Sequence, residues 1–391
     1  MKKVLFTVIF IFCAFFAFAE QPQVDPMVYA NKGISAIYDL DFDTAQQNMD
    51  LLFEQIPNHP YAHFGNMLIA WMRYSYGQEQ SDEAFKKNFE TVLASSIKGI
   101  RVWLKDHPKD PQALMAIGAT YGLKSFYSMD NGSWVSAYFS ARKGVGFMKE
   151  AIEVDPECYD AYFALGMYEY YTGTLTSVVK VLAKVVAIKG DPAKGIEYLN
   201  LSASKGGFTQ DSSKLMLVDI YNDRTTKLFD PATAQKYINE VAAKHPANPL
   251  LEFVKVIVNY ENKNYADVVK DARAFMAKIG EVEFYEDIYY ARAYTGIGTG
   301  LMAQGKWEEA AKVFEEAKKK TVDGQALTRW AAWNLLRLGQ CYDALGERDK
   351  AVKTYKFMQE QKNLWNFEDE PKKYLKHPFT KESDLGAMPP L

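Results

Sequence analysis

Residues 294–317 read YTGIGTGLMAQGKWEEAAKVFEEA, and this stretch decides the fold. Its apolar residues recur with helical periodicity on both sides of a break at 304–306, so it predicts two helices joined by a short turn. Gly298 and Ala310 are small residues at positions where two helices must approach closely, and Phe314 is a large residue that fills the space between them. The stretch therefore predicts a helical hairpin whose two helices pack against each other.

The same order of residues returns 41 positions later, with Gly339, Ala351 and Tyr355 in the equivalent places. The segments 249–261 and 264–278 predict another pair of helices. Other copies, complete or partial, carry glycine, alanine or proline in the same order: Gly33, Ala45, Pro57, Gly118, Pro156 and Gly166. Internal repetition of this kind is typical of arrays of small stacked units.

The repeated pattern resembles the tetratricopeptide repeat, a helix-turn-helix of about 34 residues. The resemblance covers about residues 25–362, where five copies are clear and seven or eight in all are expected. It implies an all-α fold, a right-handed superhelical solenoid of helical hairpins with a concave inner face. A single hairpin is too small to bury its own apolar face, so the copies must stack on one another.

The first 19 residues predict an export signal, with two lysines near its start, an apolar run over 4–18 and Ala-Phe-Ala at 17–19. The run is shorter than the roughly 20 residues that span a bilayer, which favours cleavage over a retained membrane anchor. Residues 20–24 are then a linker. We expect an exported protein that resides in a bacterial periplasm, and secretion is the alternative.

The composition indicates a folded body, with 48% hydrophobic and 24% charged residues. The full chain has a net charge of −3, and removal of the two lysines of the signal leaves 44 basic against 49 acidic side chains. A general nucleic-acid binder needs an excess of basic residues, so the sequence predicts no nucleic-acid partner. Cys158 and Cys341 follow the signal and are too few for a disulfide framework.

Two insertions interrupt the period. Residues 122–141 are expected to lengthen the connection between two helices, and they carry Trp134 and Tyr138, two candidates for partner binding. Residues 174–190 are apolar with interspersed lysines. This second segment predicts either an extra helix packed on the solenoid or an amphipathic segment that contacts a membrane surface or a partner.

The residues around the second insertion carry a weaker resemblance. Gly166 opens the run GMYEYY, and Gly190-Asp191 and Lys194-Gly195 follow the apolar insertion. Over about 80 residues this order is similar to a divergent tetratricopeptide family that includes fungal mitochondrial outer-membrane inclusion-clearance proteins and exported bacterial relatives. It implies the same helical-repeat architecture.

Tyr168, Tyr170 and Tyr171 are the remaining candidates for partner binding. They cannot all face one side of a helix, so at least one is expected to point into the groove or beneath the second insertion. Tyrosine and tryptophan are favoured at interfaces because each offers a large rigid face with a polar tip. The alternative for each candidate is an ordinary place in the core.

The sequence lacks the patterns that predict catalysis. The glycine-rich stretch 296–300 lies within a predicted helix, whereas a phosphate-binding turn lies between a strand and a helix. His59 and His63 have a spacing that can share a metal, but no glutamate follows His59 as in a zinc hydrolase, and surface or turn histidines are the simpler interpretation. We therefore expect no enzyme, no cofactor and no metal site.

The end of the chain loses helical periodicity. Residues 363–391 carry four prolines and are expected to form an extended C-terminal tail, with Leu364, Trp365 and Phe367 docked on the last repeat.

Two functions are consistent with these features. The first is an exported, non-enzymatic scaffold that binds a protein or peptide partner in the cell envelope through its concave face. The second is a small-ligand-binding accessory component of a solute transport system, which requires a pocket lined by aromatic and apolar groups. The sequence leaves open the oligomeric state and the identity of the partner.

Overall fold

The structure is a computed structural model that describes six stretches of the chain: 25–76, 83–174, 190–281, 289–322, 327–361 and 369–389. Several predictions fall outside these stretches, namely the export signal (1–19), the linker (20–24), residues 175–189 of the second insertion, and Leu364, Trp365 and Phe367.

The described residues are almost entirely helical. In chain order the helices are α1 (Pro26–Tyr38), α2 (Phe42–Gln55), α3 (Pro60–Tyr76), α4 (Glu83–Asp106), α5 (Pro111–Asp130), α6 (Trp134–Val154), α7 (Ala161–Thr174), α8 (Pro192–Lys205), α9 (Gln210–Asn222), α10 (Pro231–Lys244), α11 (Pro249–Glu261), α12 (Tyr265–Ala277), α13 (Tyr289–Ala303), α14 (Trp307–Thr321), α15 (Arg329–Ala344), α16 (Arg348–Glu360) and α17 (Asp369–Lys376). The first sixteen form eight consecutive hairpins, numbered 1 to 8. The predicted all-α solenoid of helical hairpins is confirmed.

One local signal starts five of these helices. An aspartate or asparagine precedes a proline, and its side-chain oxygen accepts a hydrogen bond from a backbone N–H of the first turn. The proline fits the first helical position because its fixed φ suits the helix and its missing N–H has no intrahelical partner there. The capped pairs are Asp25-Pro26, Asp110-Pro111, Asp191-Pro192, Asp230-Pro231 and Asn248-Pro249.

The small residues of the repeat pattern lie at the crossings of helices. A Cβ atom on Gly298 would lie 2.2 Å from Cζ of Phe314, and one on Gly339 would lie 2.3 Å from Cε1 of Tyr355. Phe314 itself is fully buried. Buried positions are also taken by the other glycines and alanines of the pattern: Gly33, Ala45, Gly118, Gly166, Ala310 and Ala351.

The two prolines that the sequence assigned to repeat packing are not buried like the glycines and alanines. Pro57 and Pro156 are exposed and lie in the turns that follow α2 and α6. They make no contribution to the core, so their assignment as packing residues is wrong. Proline is common just beyond a helix C-terminus because it cannot continue the helix.

The first insertion lengthens two helices and not the connection between them. Helices α5 and α6 are 20 and 21 residues long, and the turn between them is confined to 131–133, with Gly132 at φ +69°. The expectation of a longer connection is therefore wrong. The added turns have their own small core, because Tyr127 packs against Tyr74 and Phe89 of hairpin 2.

The hairpins stack so that the first helix of each faces the next first helix. Contacts join α1 to α3, α3 to α5 and α5 to α7, and again α9 to α11, α11 to α13 and α13 to α15. Within the described ranges, the second helices of neighbouring hairpins make no comparable contacts with each other. The stack therefore curves with its first helices on the inside.

This curvature brings the first hairpin against the middle of the chain. The backbone C=O of Tyr38 accepts a hydrogen bond from Asn248 Nδ2 at 2.6 Å, and the Tyr38 ring stacks on His245 with 4.9 Å between ring centroids. His245 is buried, with Nδ1 3.2 Å from Asp39 Oδ1 and Nε2 3.0 Å from Asp211 Oδ2. We call these five residues the closing contact, since they join residues about 200 positions apart.

The C-terminal residues fold back onto the last hairpins. Helix α17 packs on α16, and the segment after it, which we call the tail segment (378–389), runs along the inner row of hairpins 6 to 8. Phe379 and Met388 are buried there. The prediction of an extended tail over 363–391 is wrong for α17, and the tail segment is part of the packed structure.

Candidate binding surface

Among the described residues, the large apolar side chains with the highest exposed fractions lie together at one hairpin turn. Trp134, Val135 and Phe139 are 69%, 72% and 60% exposed, and Tyr138 beside them packs edge-on to Phe139 with 5.2 Å between ring centroids. These four residues, the tip patch, occupy the first two turns of α6. An exposed group of large apolar side chains is expected to have a binding function, since single exposed residues are common and clusters are not.

The position of the tip patch follows from the length of hairpin 3. Trp134 is the first residue of α6 and comes directly after the turn at 131–133, so the patch lies at the turn edge of the hairpin. On the buried side of the same turns, the Ser125 hydroxyl donates to the Ala137 carbonyl at 2.9 Å. The polar contact and the small core behind it hold the helices together, while the apolar side chains opposite face solvent.

The three tyrosines of α7 have three different environments. Tyr170 is buried, whereas Tyr171 is 40% exposed and donates a hydrogen bond to Asp219 Oδ2 of α9 at 3.2 Å. Tyr171 therefore lies on the inner row of first helices. Tyr168 is half-buried, and burial raises its pKa, with Glu169 and Tyr138 adding to the effect. The Tyr168 hydroxyl thus interacts electrostatically with Tyr138 of the tip patch, whereas Tyr170 and Tyr171 contact α9.

The inner row is closed over the C-terminal hairpins. Helices α11, α13 and α15 are buried along almost their whole length, because the first hairpin covers one end of this row and the tail segment covers the other. No open concave groove is present there among the described residues. Over hairpins 6 to 8, the concave surface predicted to bind a partner is therefore covered by other parts of the chain.

Two cavities lie away from the tip patch. One, of about 470 Å³, lies between the tail segment and the ends of α11 and α13, and it combines aromatic walls (Tyr260, Tyr265 and Trp307) with charged groups. The other, of about 460 Å³, lies between α2, α3 and α4 and is lined mainly by polar side chains, among them Gln46 and Asn66. Neither includes the tip patch.

The two histidines with metal-ligand spacing pack against aromatic side chains. His59 packs on Trp103 and His63 on Phe53, and burial lowers the pKa of both, that of His63 to about 4. The described residues contain no group of three or more histidine, cysteine or acidic side chains that could hold a metal ion.

The two cysteines after the signal are not activated as nucleophiles. Burial raises the pKa of Cys158 to about 11 and raises that of Cys341 as well, so both stay protonated thiols at neutral pH. The absence of enzymatic activity remains a prediction. In the described part of the chain, helices long and apolar enough for a membrane span are also lacking.

Comparison with known families locates the repeat on the chain. The family model described as Tetratricopeptide repeat matches residues 333–356, which begin within α15 and end within α16. Most of the last hairpin is therefore similar to a tetratricopeptide repeat. Gly339, Ala351 and Tyr355, which carry the repeat pattern, all lie inside the match. The eight hairpins make the described part of the chain a helical-repeat structure, and its last hairpin is similar to the tetratricopeptide repeat.

Solved structures show only distant similarity. Yeast Tom70 matches with a TM-score of 0.42 and 9% identity, over 90% of this chain and 88% of that chain. A tetratricopeptide repeat protein from Parabacteroides merdae matches with a TM-score of 0.31 and 11% identity, over 90% and 97%. These scores carry no conclusion about function. No curated protein matches the sequence significantly, and the resemblance to the inclusion-clearance family stays a prediction.

Proposed function

We propose that this protein is an exported, non-enzymatic scaffold that binds a protein partner in the cell envelope through the tip patch. The observation that carries the proposal is the exposure of Trp134, Val135 and Phe139 in the first two turns of α6. Aromatic side chains of this kind dominate the binding energy of protein interfaces because they bury a large rigid surface. The repeat architecture supplies a rigid support on which such a surface can be presented.

The position of the tip patch changes the mode of binding from the one that the sequence suggested. A partner at the turn edge of hairpin 3 does not need the concave face, which the closing contact and the tail segment cover over hairpins 6 to 8. Tyr138 and Tyr168 extend the apolar surface towards α7 and add hydroxyl groups that can bond to polar groups of the partner.

Photo-crosslinking in the organism of origin tests this proposal. We expect a benzophenone amino acid in place of Phe139 to form a crosslink to one specific envelope protein, identified by mass spectrometry. Val102, which is 41% exposed on α4, is the matched control position and should give no such crosslink. Exclusive crosslinking of Phe139 to lipid, or the same products from both positions, would contradict the proposal.

A small-ligand accessory role in solute transport is the second candidate function. It is favoured by the cavity of about 470 Å³ beside Tyr260, Tyr265 and Trp307, a volume in the range of typical ligand sites. Native mass spectrometry and thermal shift against a panel of solutes test it. A retained small molecule, or a stabilising solute whose effect is lost in Trp307→Ala, supports this role, and a flat response across the panel rejects it.

A further inference from the structure

The tail segment contacts the inner row mainly through its backbone, as a bound peptide does. The Phe379 N–H donates to Asp343 Oδ2 at 3.0 Å, the Leu385 C=O accepts from Arg337 Nη2 at 2.5 Å, and the Gly386 C=O accepts from Tyr260 OH at 2.8 Å. These three partners belong to α15 and α11, the first helices of hairpins 8 and 6. Residues 378–389, which make up the segment, form neither a helix nor a strand.

Two apolar anchors lie near the ends of the segment. Phe379 is buried against Trp307 and Tyr374, with ring centroids 6.1 and 5.9 Å apart, and Met388 is buried nine positions later. Between the anchors, Lys381 and Glu382 are exposed. Deep anchors separated by exposed residues are the pattern of an extended ligand in a groove, where a few side chains supply most of the binding energy.

The groove beneath the segment is incompletely satisfied. Arg337 is 1% exposed, and its guanidinium donates to Gln340 Oε1 at 2.9 Å and to the Leu385 carbonyl, while Nε has no hydrogen-bond partner. In the described part of the chain it forms no ion pair with a carboxylate. A buried cation held by a tail carbonyl is costly, and a carboxylate in the same place would be a stronger partner.

One edge of the segment borders a cleft. The cavity of about 470 Å³ has the segment as one wall, through Lys381, Ser383 and Asp384, and the inner row as the other. This cavity is a cleft partly open to solvent, so the edge of the segment is accessible to a competing peptide.

From these contacts we propose that the tail segment is an exchangeable internal ligand, and that the inner row of hairpins 6 to 8 is a groove for an extended peptide of a partner protein. The peptide that fits has an aromatic side chain in the place of Phe379, a large apolar one nine positions later, and a carboxylate that can reach Arg337. This site is separate from the tip patch, and the segment keeps it closed until such a peptide displaces it.

The test uses the full chain, with a specific protease site inserted in the exposed stretch between His377 and Pro378. After cleavage, the tail fragment is held by non-covalent contacts alone. A fluorescein-labelled synthetic peptide of residues 378–391 is then added, and fluorescence anisotropy reports its entry. We expect saturable binding to the cut protein and at least tenfold weaker binding to the uncut protein, where the tethered segment competes.

Variant peptides identify the contact without disturbing the fold. Phe379→Ala in the peptide should weaken binding by about tenfold or more, because a fully buried aromatic side chain is lost. Glu382→Ala, at an exposed position, is the matched control and should change binding by less than about twofold. Equal affinity of the two variants would overturn the proposal.

Circular dichroism and size exclusion of the cut protein separate the remaining outcomes. Loss of the fragment with unchanged helicity supports an exchangeable ligand. Loss of the fragment with a fall in helicity shows that the segment is part of the folded core, and a fragment that stays bound and admits no labelled peptide shows the same. Either result rejects the proposal, and neither bears on crosslinking at Phe139.

Discussion

Gly298 shows how one residue sets the distance between two helices. Its absent side chain lets the Phe314 ring lie where a Cβ would be, 2.2 Å from the ring carbon Cζ. We expect Gly298→Ala to lower the free energy of unfolding by about 1–3 kcal/mol because the core becomes overpacked. This loss should exceed the roughly 1 kcal/mol that alanine gains over glycine in helix propensity. Urea unfolding followed by circular dichroism measures the change.

Gly146 provides the matched control for this substitution. It also lies within a helix, α6, but a Cβ there would have no atom within 4 Å. Gly146→Ala should therefore leave stability unchanged or raise it by up to about 1 kcal/mol. Adding Phe314→Leu to Gly298→Ala should recover part of the loss. If both single alanine variants behave alike, steric packing at Gly298 is not the reason for the glycine.

His63 gives the protein a pH-dependent stability. Burial, with a smaller contribution from His59, lowers its pKa from 6.5 to about 4, so the folded state binds the proton less readily than the unfolded state. The stabilising contribution of the neutral ring is complete above pH 6.5 and is lost as the pH falls from 6.5 towards 4. We expect the free energy of unfolding to decrease between about pH 7.5 and about pH 5.

Replacement of the ring identifies its share of this effect. His63→Asn removes the titrating group, so the difference in stability between the two pH values should shrink. His377→Asn, at an exposed position, should leave the difference as in the unaltered protein. An unchanged pH dependence in His63→Asn would assign the effect to other groups, beginning with His59, whose pKa burial also lowers.

The sequence predicts the role of the packing glycines, but it does not predict the role of Pro57 or the burial of His63. Gly298 and Gly339 could be identified because the repeat fixes both their spacing and their large partner on the second helix. Pro57 was misassigned because a proline at a repeat boundary can pack or simply end a helix, and spacing does not distinguish these roles. The burial of His63 depends on neighbours in two other helices, and no local pattern indicates it.

At the scale of elements, Asp160 connects two hairpins through one carboxylate. Its oxygens accept hydrogen bonds from the backbone N–H groups of Gly207, Phe208 and Thr209, and from the Thr209 hydroxyl. These groups precede α9, so the carboxylate of hairpin 4 fixes the start of hairpin 5.

Removal of this carboxylate should loosen the junction. We expect Asp160→Ala to lower the free energy of unfolding by about 2–3 kcal/mol, because several backbone donors lose a charged acceptor. Asp223→Ala is the control, since the Asp223 carboxylate accepts hydrogen bonds from the N–H and the hydroxyl of Thr225 within its own turn. Hydrogen exchange should show faster opening of the 207–209 amides in Asp160→Ala alone. Unchanged exchange at those amides would contradict a junction role.

The sequence mispredicted residues 122–141 and helix α17 for the same reason. Within 122–141 the residues pack on hairpin 2, and α17 packs on α16, so each owes its helical form to a neighbour that is distant or irregular in sequence. Regular hairpins such as α11 and α12 could be predicted almost to the residue, because their apolar periodicity is repeated along the chain. Tertiary contacts outside the repeat leave no such period.

At the scale of the whole molecule, the closing contact changes an open array into a curved structure that touches itself. A linear repeat protein is stabilised by contacts between neighbours alone, whereas here hairpin 1 also depends on residues of hairpin 5 and of the turn before hairpin 6. The sequence offered no sign of this contact, since Asp39, Asp211 and His245 are single polar residues in different repeats.

The chemistry of the closing contact makes it testable by a single substitution. His245 lies between the Asp39 and Asp211 carboxylates, and Lys244 Nζ lies 2.6 Å from the Asp211 carboxylate. Burial alone would raise the pKa of Asp211, but hydrogen bonds from His245 and Lys244 outweigh it and hold the pKa below 3.8. The contribution of this carboxylate to the free energy of unfolding is therefore complete above pH 3.8 and is lost as the pH falls below that value.

We expect His245→Ala to cost about 3 kcal/mol of stability, because two carboxylates at a buried contact lose their shared partner. Small-angle X-ray scattering should show a larger radius of gyration and maximum dimension, as hairpin 1 is released from the middle of the chain. Lys214→Ala breaks the surface pair with Glu240 within hairpin 5, so its cost should stay below about 1 kcal/mol and its scattering should match that of the unaltered protein. Because neighbouring hairpins keep their own contacts in His245→Ala, its helicity should be preserved while its shape changes. A scattering profile identical to that of the unaltered protein would mean that stacking between neighbours alone sets the curvature, and that the closing contact only accompanies it.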